Sequence, residues 1–536
     1  MSDRMTPIPF ADLLTQSLRA FRAERALYHV PVAAQVPDTG MTLAGRPLSC
    51  PVGPAAGPHT QLAQNLIAGF AAGARVFELK TVQVLYGEQL GIQKPCIWTG
   101  DEAYNIEWSS ELPAQAAADE YIRAYIILHL LAREFGLDGK FQFHASVGYN
   151  LEGIQSPAVD GFLNAMRDAS GTAAWKQAMD WTLAHLDLFE HVDAGFVRGI
   201  DPCVTDLVTL STMHGCPADE IERIASYLLT EKGFHTYIKC NPTLIGYDRV
   251  KSLLEGLGYG YIAFDTTHFD HDLKLDDAVA MLGRLRRTAA ACGRVFGVKL
   301  TNTFPVEIRR GELAGDAMYM SGKPLFPLAL NVARILSEAF DGALPISFSG
   351  GIDGHNLADV LACGIAPVTV ATLLLKPGGY RNLTRLLGAV PAHIPERVDV
   401  ARLGALCDGL TADAYYHKKA DRPRPARPDS FPAACYRCKN CVDVCPNRAN
   451  APLPGLKMAV HIDAYCNECG ACACQCPLGL VPYRDKFTLF SCEQDFIDSS
   501  NDGFLGREKY RWQGQTGTDF SKLPEDLRSL IDAVLG

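Results

Sequence analysis

Eight cysteines constrain this chain more than any other feature. They stand as Cys435-x2-Cys438-x2-Cys441-x3-Cys445-Pro and again as Cys466-x2-Cys469-x2-Cys472-x3-Cys476-Pro. Two-residue gaps let three thiolates curl around one cubane, and in paired runs of this kind the fourth cysteine crosses to the other centre. The spacing therefore predicts two [4Fe–4S] clusters. One takes Cys435, Cys438, Cys441 and Cys476; the other takes Cys466, Cys469, Cys472 and Cys445. The proline after each run stops it past its last ligand. Paired zinc sites need four ligands each and leave the duplicated x2-x2-x3-Pro pattern unexplained. Cys474 falls outside the pattern and reads as a buried bystander.

The remaining cysteines are scattered, among them Cys50, Cys96, Cys203, Cys216 and Cys240, which is no disulfide framework. The start of the chain, "MSDRMTPIPFADLLTQSLRA", has no apolar core behind a basic stretch, and "APVTVATLLL" (366–375) is too short to span a bilayer, so a cytoplasmic protein is expected. A net charge of −10 without a basic run gives nucleic acid and anionic membranes no foothold as partners. With 536 residues, 48% of them hydrophobic, the chain can fill one large domain and a smaller one.

Residues 45–380 repeat short apolar, β-rich runs separated by helix-like segments rich in Ala, Leu, Glu and Arg. Nine strand candidates result: 49–57, 75–83, 141–150, 207–215, 235–243, 259–267, 295–303, 344–352 and 367–375. Alternating strands and helices with a count near eight predict an α/β fold, a (β/α)8 TIM barrel, so one candidate must be an accessory strand or a buried loop, 259–267 first among them. Polar residues gather at the carboxyl ends of the runs: Lys80, Asn150, His214, Cys216, Lys239, Asn241, Asn302 and the pair Gly350/Gly351. In such a barrel that face carries the active site. The expected domains are an amino-terminal helical segment (1–45), the barrel (46–400), a helical and proline-rich linker (401–434), a small α+β domain of bacterial-ferredoxin type (435–490) and a carboxy-terminal tail (491–536).

Clusters move electrons singly, whereas organic substrates take them in pairs, and a flavin mediates between the two. The barrel offers parts for one. "SGGI" (349–352) and "ATLLLKPGG" (371–379) place glycine turns after the last two strands, where backbone N–H groups suit a phosphate. Lys80, at the end of "FELKT", would face the barrel mouth and stabilise a reduced, anionic ring. Lys239 and Lys299 offer the same charge.

The runs "PVGPAAGPHTQLAQN", "FELKTVQ", "SVGYNLEGI", "LSTMHGCP", "KLTNT" and "MYMSG" resemble the FMN barrel of dihydroorotate and dihydropyrimidine dehydrogenases. They are most similar to the amino-terminal part of a family described as selenate reductase subunits, over essentially 1–400. The resemblance implies FMN held by Ala55, Ala56, Gly57, Lys80, Thr81, Asn150 and Lys239, with its phosphate at Gly350, Gly351, Ala371 and Thr372. It implies substrate contacts from Asn150, Asn302 and Thr303, and it makes Cys216 look like a catalytic cysteine that moves a proton at one carbon while flavin exchanges hydride with its neighbour. Asparagine amides match the N–H and C=O edge of a ring lactam, and His214, two residues before Cys216, could tune or replace the thiol.

An FMN and iron–sulfur oxidoreductase subunit follows, acting on a C–C bond of a cyclic amide such as a pyrimidine, a dihydroorotate-like ring or an oxopurine. Reduction of an oxyanion such as selenate, or electron transfer without a substrate of its own, are the alternatives. No G-x-G-x-x-G follows a strand, so an NAD(P)H-oxidising flavoprotein subunit or a ferredoxin is the expected electron partner. The related barrels make a homodimer the expectation.

Overall fold

The computed structural model describes residues 5–106, 109–211, 214–421, 425–429, 433, 435 and 438–536. Thr212 and Met213 of the "LSTMHGCP" run, and residues 422–424, 430–432 and 434 of the expected linker, lie outside the described residues.

Eight parallel strands form the barrel: β1 (Val52–Pro54), β2 (Val76–Glu78), β3 (Gln142–Val147), β4 (Leu207–Leu210), β5 (His235–Cys240), β6 (Phe296–Leu300), β7 (Ile346–Phe348) and β8 (Val368–Val370). Their spatial order is their chain order, with β8 returning to pair with β1. The seam between β1 and β2 closes where the Arg75 N–H donates to the Val52 carbonyl at 3.2 Å. Gly53 makes that approach feasible, since a Cβ there would stand 1.6 Å from the Val76 carbonyl oxygen. The strands are covered on both sides, as the wholly buried β3 illustrates, which is why they read as continuous apolar runs.

The ninth candidate, 259–267, is the odd one out. A turn in which the Ile262 N–H donates to the Tyr259 carbonyl occupies it, followed by the helix Thr267–His271. Its aromatics are there to anchor: Tyr259 donates to Asp101 at 3.3 Å and Tyr261 to Glu102 at 2.8 Å.

Over the carboxyl ends of the strands lies an antiparallel sheet ordered Phe304–Glu307, Ala317–Gly322, Glu102–Asn105 and Ile97–Thr99. It joins excursions that follow β2 and β6, and period-based reading did not foresee it. The amino-terminal helix Phe10–Glu24 packs its Phe10, Leu13, Leu14, Leu18 and Phe21 stripe inward, with Phe21 stacked on Phe135 at 3.7 Å.

The cysteine-bearing module carries a six-stranded sheet: Asn450–Leu453, Met458–Ile462, Thr488–Phe490, Gly503–Leu505, Lys509–Trp512 and Gln515–Gly517. Val460, Phe487, Phe504 and Tyr510 share a core with Leu527, Leu530 and Ile531 of the closing helix Glu525–Leu535. The boundary expected at 490/491 thus cuts through one sheet, and the segment 491–536 is part of the module, not a tail. Its strands are short and polar on one face, so their signal was weak. No helix among the described residues is long and apolar enough to cross a membrane.

Candidate active site and cysteine centres

A cavity of about 250 Å³ opens at the carboxyl ends of the barrel strands. Of the residues expected at the cofactor, Ala55, Ala56, Lys239, Gly350, Gly351, Ala371 and Thr372 line it, as does Thr303 from the expected substrate set. Gly350 and Gly351 have φ of +126° and +71°, and a Cβ on Gly351 would stand 2.5 Å from the Gly322 carbonyl oxygen. Only glycine lets the β7 turn lie this close to the start of the helix Leu325–Ala339. Gly57 sits beside Ala371, where a Cβ would be 3.7 Å from the alanine methyl.

Two further lysines, unforeseen from sequence, line the same end of the cavity. Lys323 pairs with Asp101 at 3.0 Å and donates to the His417 carbonyl at 3.1 Å. Burial holds the Lys376 ammonium below the usual lysine range. Lys323 directly follows the "MYMSG" run, the one signal that could have flagged it. Together with Lys239 these cations and the glycine turns form a donor set suited to a phosphate.

The other expected residues fall elsewhere. Lys299 does not line the cavity; it is buried inside the barrel, 2.5 Å from Glu78, and donates to Thr369 at 2.7 Å. Asn150 is exposed and caps the helix Leu151–Ile154, accepting from the Gly153 N–H at 2.9 Å. Thr81 hydrogen-bonds Ser146 at 2.8 Å. Lys80 is buried, its N–H on the Thr60 carbonyl, and its charge opposes the burial that pushes the Cys96 thiol up to about 12.

On the β4 to β6 side a polar network centres on Asp272, a residue the sequence reading passed over. Its carboxylate accepts from His214 Nδ1 at 2.7 Å, Thr243 Oγ1 at 2.7 Å, Asn241 Nδ2 at 3.0 Å and the Gly215 N–H at 2.6 Å. Burial raises its pKa, but these donors prevail and hold the carboxyl below its ordinary range. Asn302 donates to Asn241 Oδ1 at 2.7 Å, tying the network to the cavity-lining Thr301 and Thr303. Cys216 lies in a small recess with Ile238, Leu244, Asn241 and Asp272, which Lys239 lines together with the cavity. Burial, then Glu220 and Asp219, push the Cys216 thiol up to about 11, so at neutral pH it holds its proton.

Members of the two cysteine runs lie near one another. Cys445, Cys466, Cys469 and Cys472 line one small cavity with Asn447, Asn467 and Tyr483. Cys441 neighbours Cys438, Cys476 and Cys435, and burial followed by their charges pushes its thiol up to about 11, against Lys486. All eight are free thiols, and among the described residues no three His, Cys, Asp or Glu side chains converge as on a single ion. Thiol sulfur from paired cysteine runs is the donor type that iron–sulfur clusters take. The buried quartet rests against the barrel: the Cys469 carbonyl accepts from the Cys96 and Ile97 N–H groups at 3.1 and 2.9 Å, and Gln475 donates to Thr99 at 2.6 Å.

The family model described as the N-terminal TIM-barrel domain of the oxidoreductase YgfK matches residues 28–418. Two Escherichia coli proteins that carry the YgfK name, from strains K12 and O157:H7, are each 44% identical over 476 residues, 84% of this chain and 46% of theirs. The chain thus spans about half the length of these relatives. Among solved structures, a ligand-free DHODH from Eimeria tenella aligns at 13% identity with a TM-score of 0.41, over 73% of this chain and 98% of that one. The same organism's DHODH in complex with ferulenol aligns at 14% with a TM-score of 0.42, over 72% and 91%.

Proposed function

Because the chain belongs to the YgfK oxidoreductase family, we propose that it passes electrons through two [4Fe–4S] clusters to FMN at the barrel mouth, reducing or oxidising a C–C bond in a cyclic amide such as a pyrimidine or oxopurine. The flavin, when bound, supplies or takes the hydride. Gly350, Gly351, Ala371 and Thr372 would hold its phosphate, with Lys323 and Lys376 neutralising it. Ala55 and Ala56 would flank the ring and Lys239 would balance its reduced charge. Asn302 and Thr303 would align the ring amide. The module 435–536 would carry the clusters, and electrons would enter from an NAD(P)H-oxidising flavoprotein subunit or a ferredoxin.

One observation carries this reading: a buried thiol quartet seated, through the Cys469 carbonyl, on the sheet that roofs the mouth. The exposed Cys438 belongs to the other quartet, so the clusters would run from the surface toward the barrel. Three lysines at one cavity would also suit an inorganic oxyanion, so selenate belongs in the test.

The purified protein is reduced anaerobically with dithionite and mixed with pyrimidines, oxopurines and selenate, while flavin and cluster absorbance are followed. Flavin reoxidation by one ring compound is the expected result. Reoxidation by selenate alone would replace the substrate class, and silence toward all would leave an electron relay.

A further inference from the structure

We propose that the imidazole of His214, oriented by Asp272, moves the proton at the substrate's ring carbon in place of the Cys216 thiol. This rests on the reading of the mouth as a site for a ring amide.

An ionised carboxylate can only accept, so the 2.7 Å contact with Asp272 puts the ring proton on Nδ1 and leaves the lone pair on Nε2. That nitrogen is buried, in a side chain only 9% exposed, and has no hydrogen-bond partner among the described residues. A buried orphan of this kind costs about 1–3 kcal/mol unless something completes it. Asp272 is held by three donors besides His214, so the ring cannot swing its acceptor away. Tyr319 lies alongside the imidazole at 6.0 Å and His268 meets it edge-on at 5.2 Å. Tyr319 is on the strand that brings Ser321 to the cavity wall, and Asn241 links the same network to Asn302. The network meets the imidazole on its Nδ1 side, where Asn241 Nδ2 stands 3.2 Å away and leads on to Asn302, and Nε2 is the ring atom left for a substrate. Cys216 lies in the recess that Lys239, Asn241 and Asp272 also line, so the order of the two variants decides between thiol and imidazole.

In the reducing direction the imidazolium gives its Nε2 proton to the ring carbon next to the one that receives hydride. The π pair of the C=C bond becomes the new C–H bond, and hydride plus proton saturate it with two electrons. The neutral imidazole then takes a proton from water. Asp272 touches no substrate; it is a positioning residue that selects the tautomer and stabilises the imidazolium.

The test has two arms. In protein labelled with ¹⁵N-histidine and held above the histidine titration range, the resonance lost in His214→Gln should report Nδ1–H with a bare Nε2. It should shift toward Nε2–H in Asp272→Asn. A wild-type Nε2–H tautomer overturns the proposal. In the reoxidation assay with the responding ring compound, His214→Gln should slow the reaction by about 10²–10⁴, and by at least about tenfold more than Cys216→Ala does. The reverse order overturns it. If every ring compound is silent in the wild type, the proposed function falls, while the tautomer still decides the dyad.

Discussion

Inside the barrel, Lys299 and Glu78 meet at 2.5 Å with almost no exposure, bracketed by Ser347 and Thr369 hydroxyls. Burial pulls the lysine down to about 8, against the pull of Glu78. Removing one partner strands the other charge, so Lys299→Met should cost about 3–5 kcal/mol in urea denaturation, and Glu78→Gln/Lys299→Met should recover most of it. A neutral single variant would show that the pair contributes nothing. At this scale the sequence was legible where the signal is local: Gly350, Gly351 and Lys239, which line the cavity, all came from short runs. Lys299 shares face and register with Lys239, and what the sequence did not show is that Glu78 holds its ammonium inside the barrel. Asp272 was missed because its partner His214 lies 58 residues away, and nothing in "HFDHDLK" announces it.

The turn after β7 shows how an element depends on one residue. Gly351→Ala places a methyl 2.5 Å from the Gly322 oxygen at a φ of +71°, so the variant should lose about 1–3 kcal/mol and retain less flavin on purification. Gly354→Ala is the control, since nothing lies within 4 Å of its added carbon; its midpoint should stay within about 0.5 kcal/mol of wild type. Equal losses in both would remove the turn's special role. Eight of nine strand candidates were strands because barrel strands are buried on both faces. The segment 259–267 imitated them: Tyr259 and Ile262 are buried from a loop. The roof sheet and the module's outer strands were not legible, since their pairing joins distant segments and their alternation is short.

Across the molecule, burial lowers His59 and His461 to about 3 and His129 and His144 to about 4, in both the barrel and the cysteine module. Unfolded histidine titrates near about 6.5, so below that pH the unfolded chain binds protons the native one refuses. Stability should therefore fall as pH drops from about 6.5 toward 4, by up to about 1.4 kcal/mol per pH unit for each histidine, with no contribution from them above. Urea midpoints across that range check it, and His144→Gln should flatten the curve by its own share; a flat wild-type profile would contradict it. The seat between module and barrel is equally open to test. Gly470, at φ +90°, would put a methyl 2.5 Å from Pro95 Cβ. Gly470→Ala should speed hydrogen exchange at the Cys96 and Ile97 amides; unchanged exchange would mean the contact bears no load.

The roof over the mouth pairs segments 218 residues apart, at Ala103 and Ser321. During synthesis the earlier hairpin therefore emerges with an unpaired edge and waits for its partner strand, while the second cysteine run comes later still. The chain order is roof strands first, then β7 and β8, then the cysteines, so the surface that seats the thiols is complete in sequence before they emerge. A full-length chain whose roof fails to pair has no surface on which to lodge its cysteines.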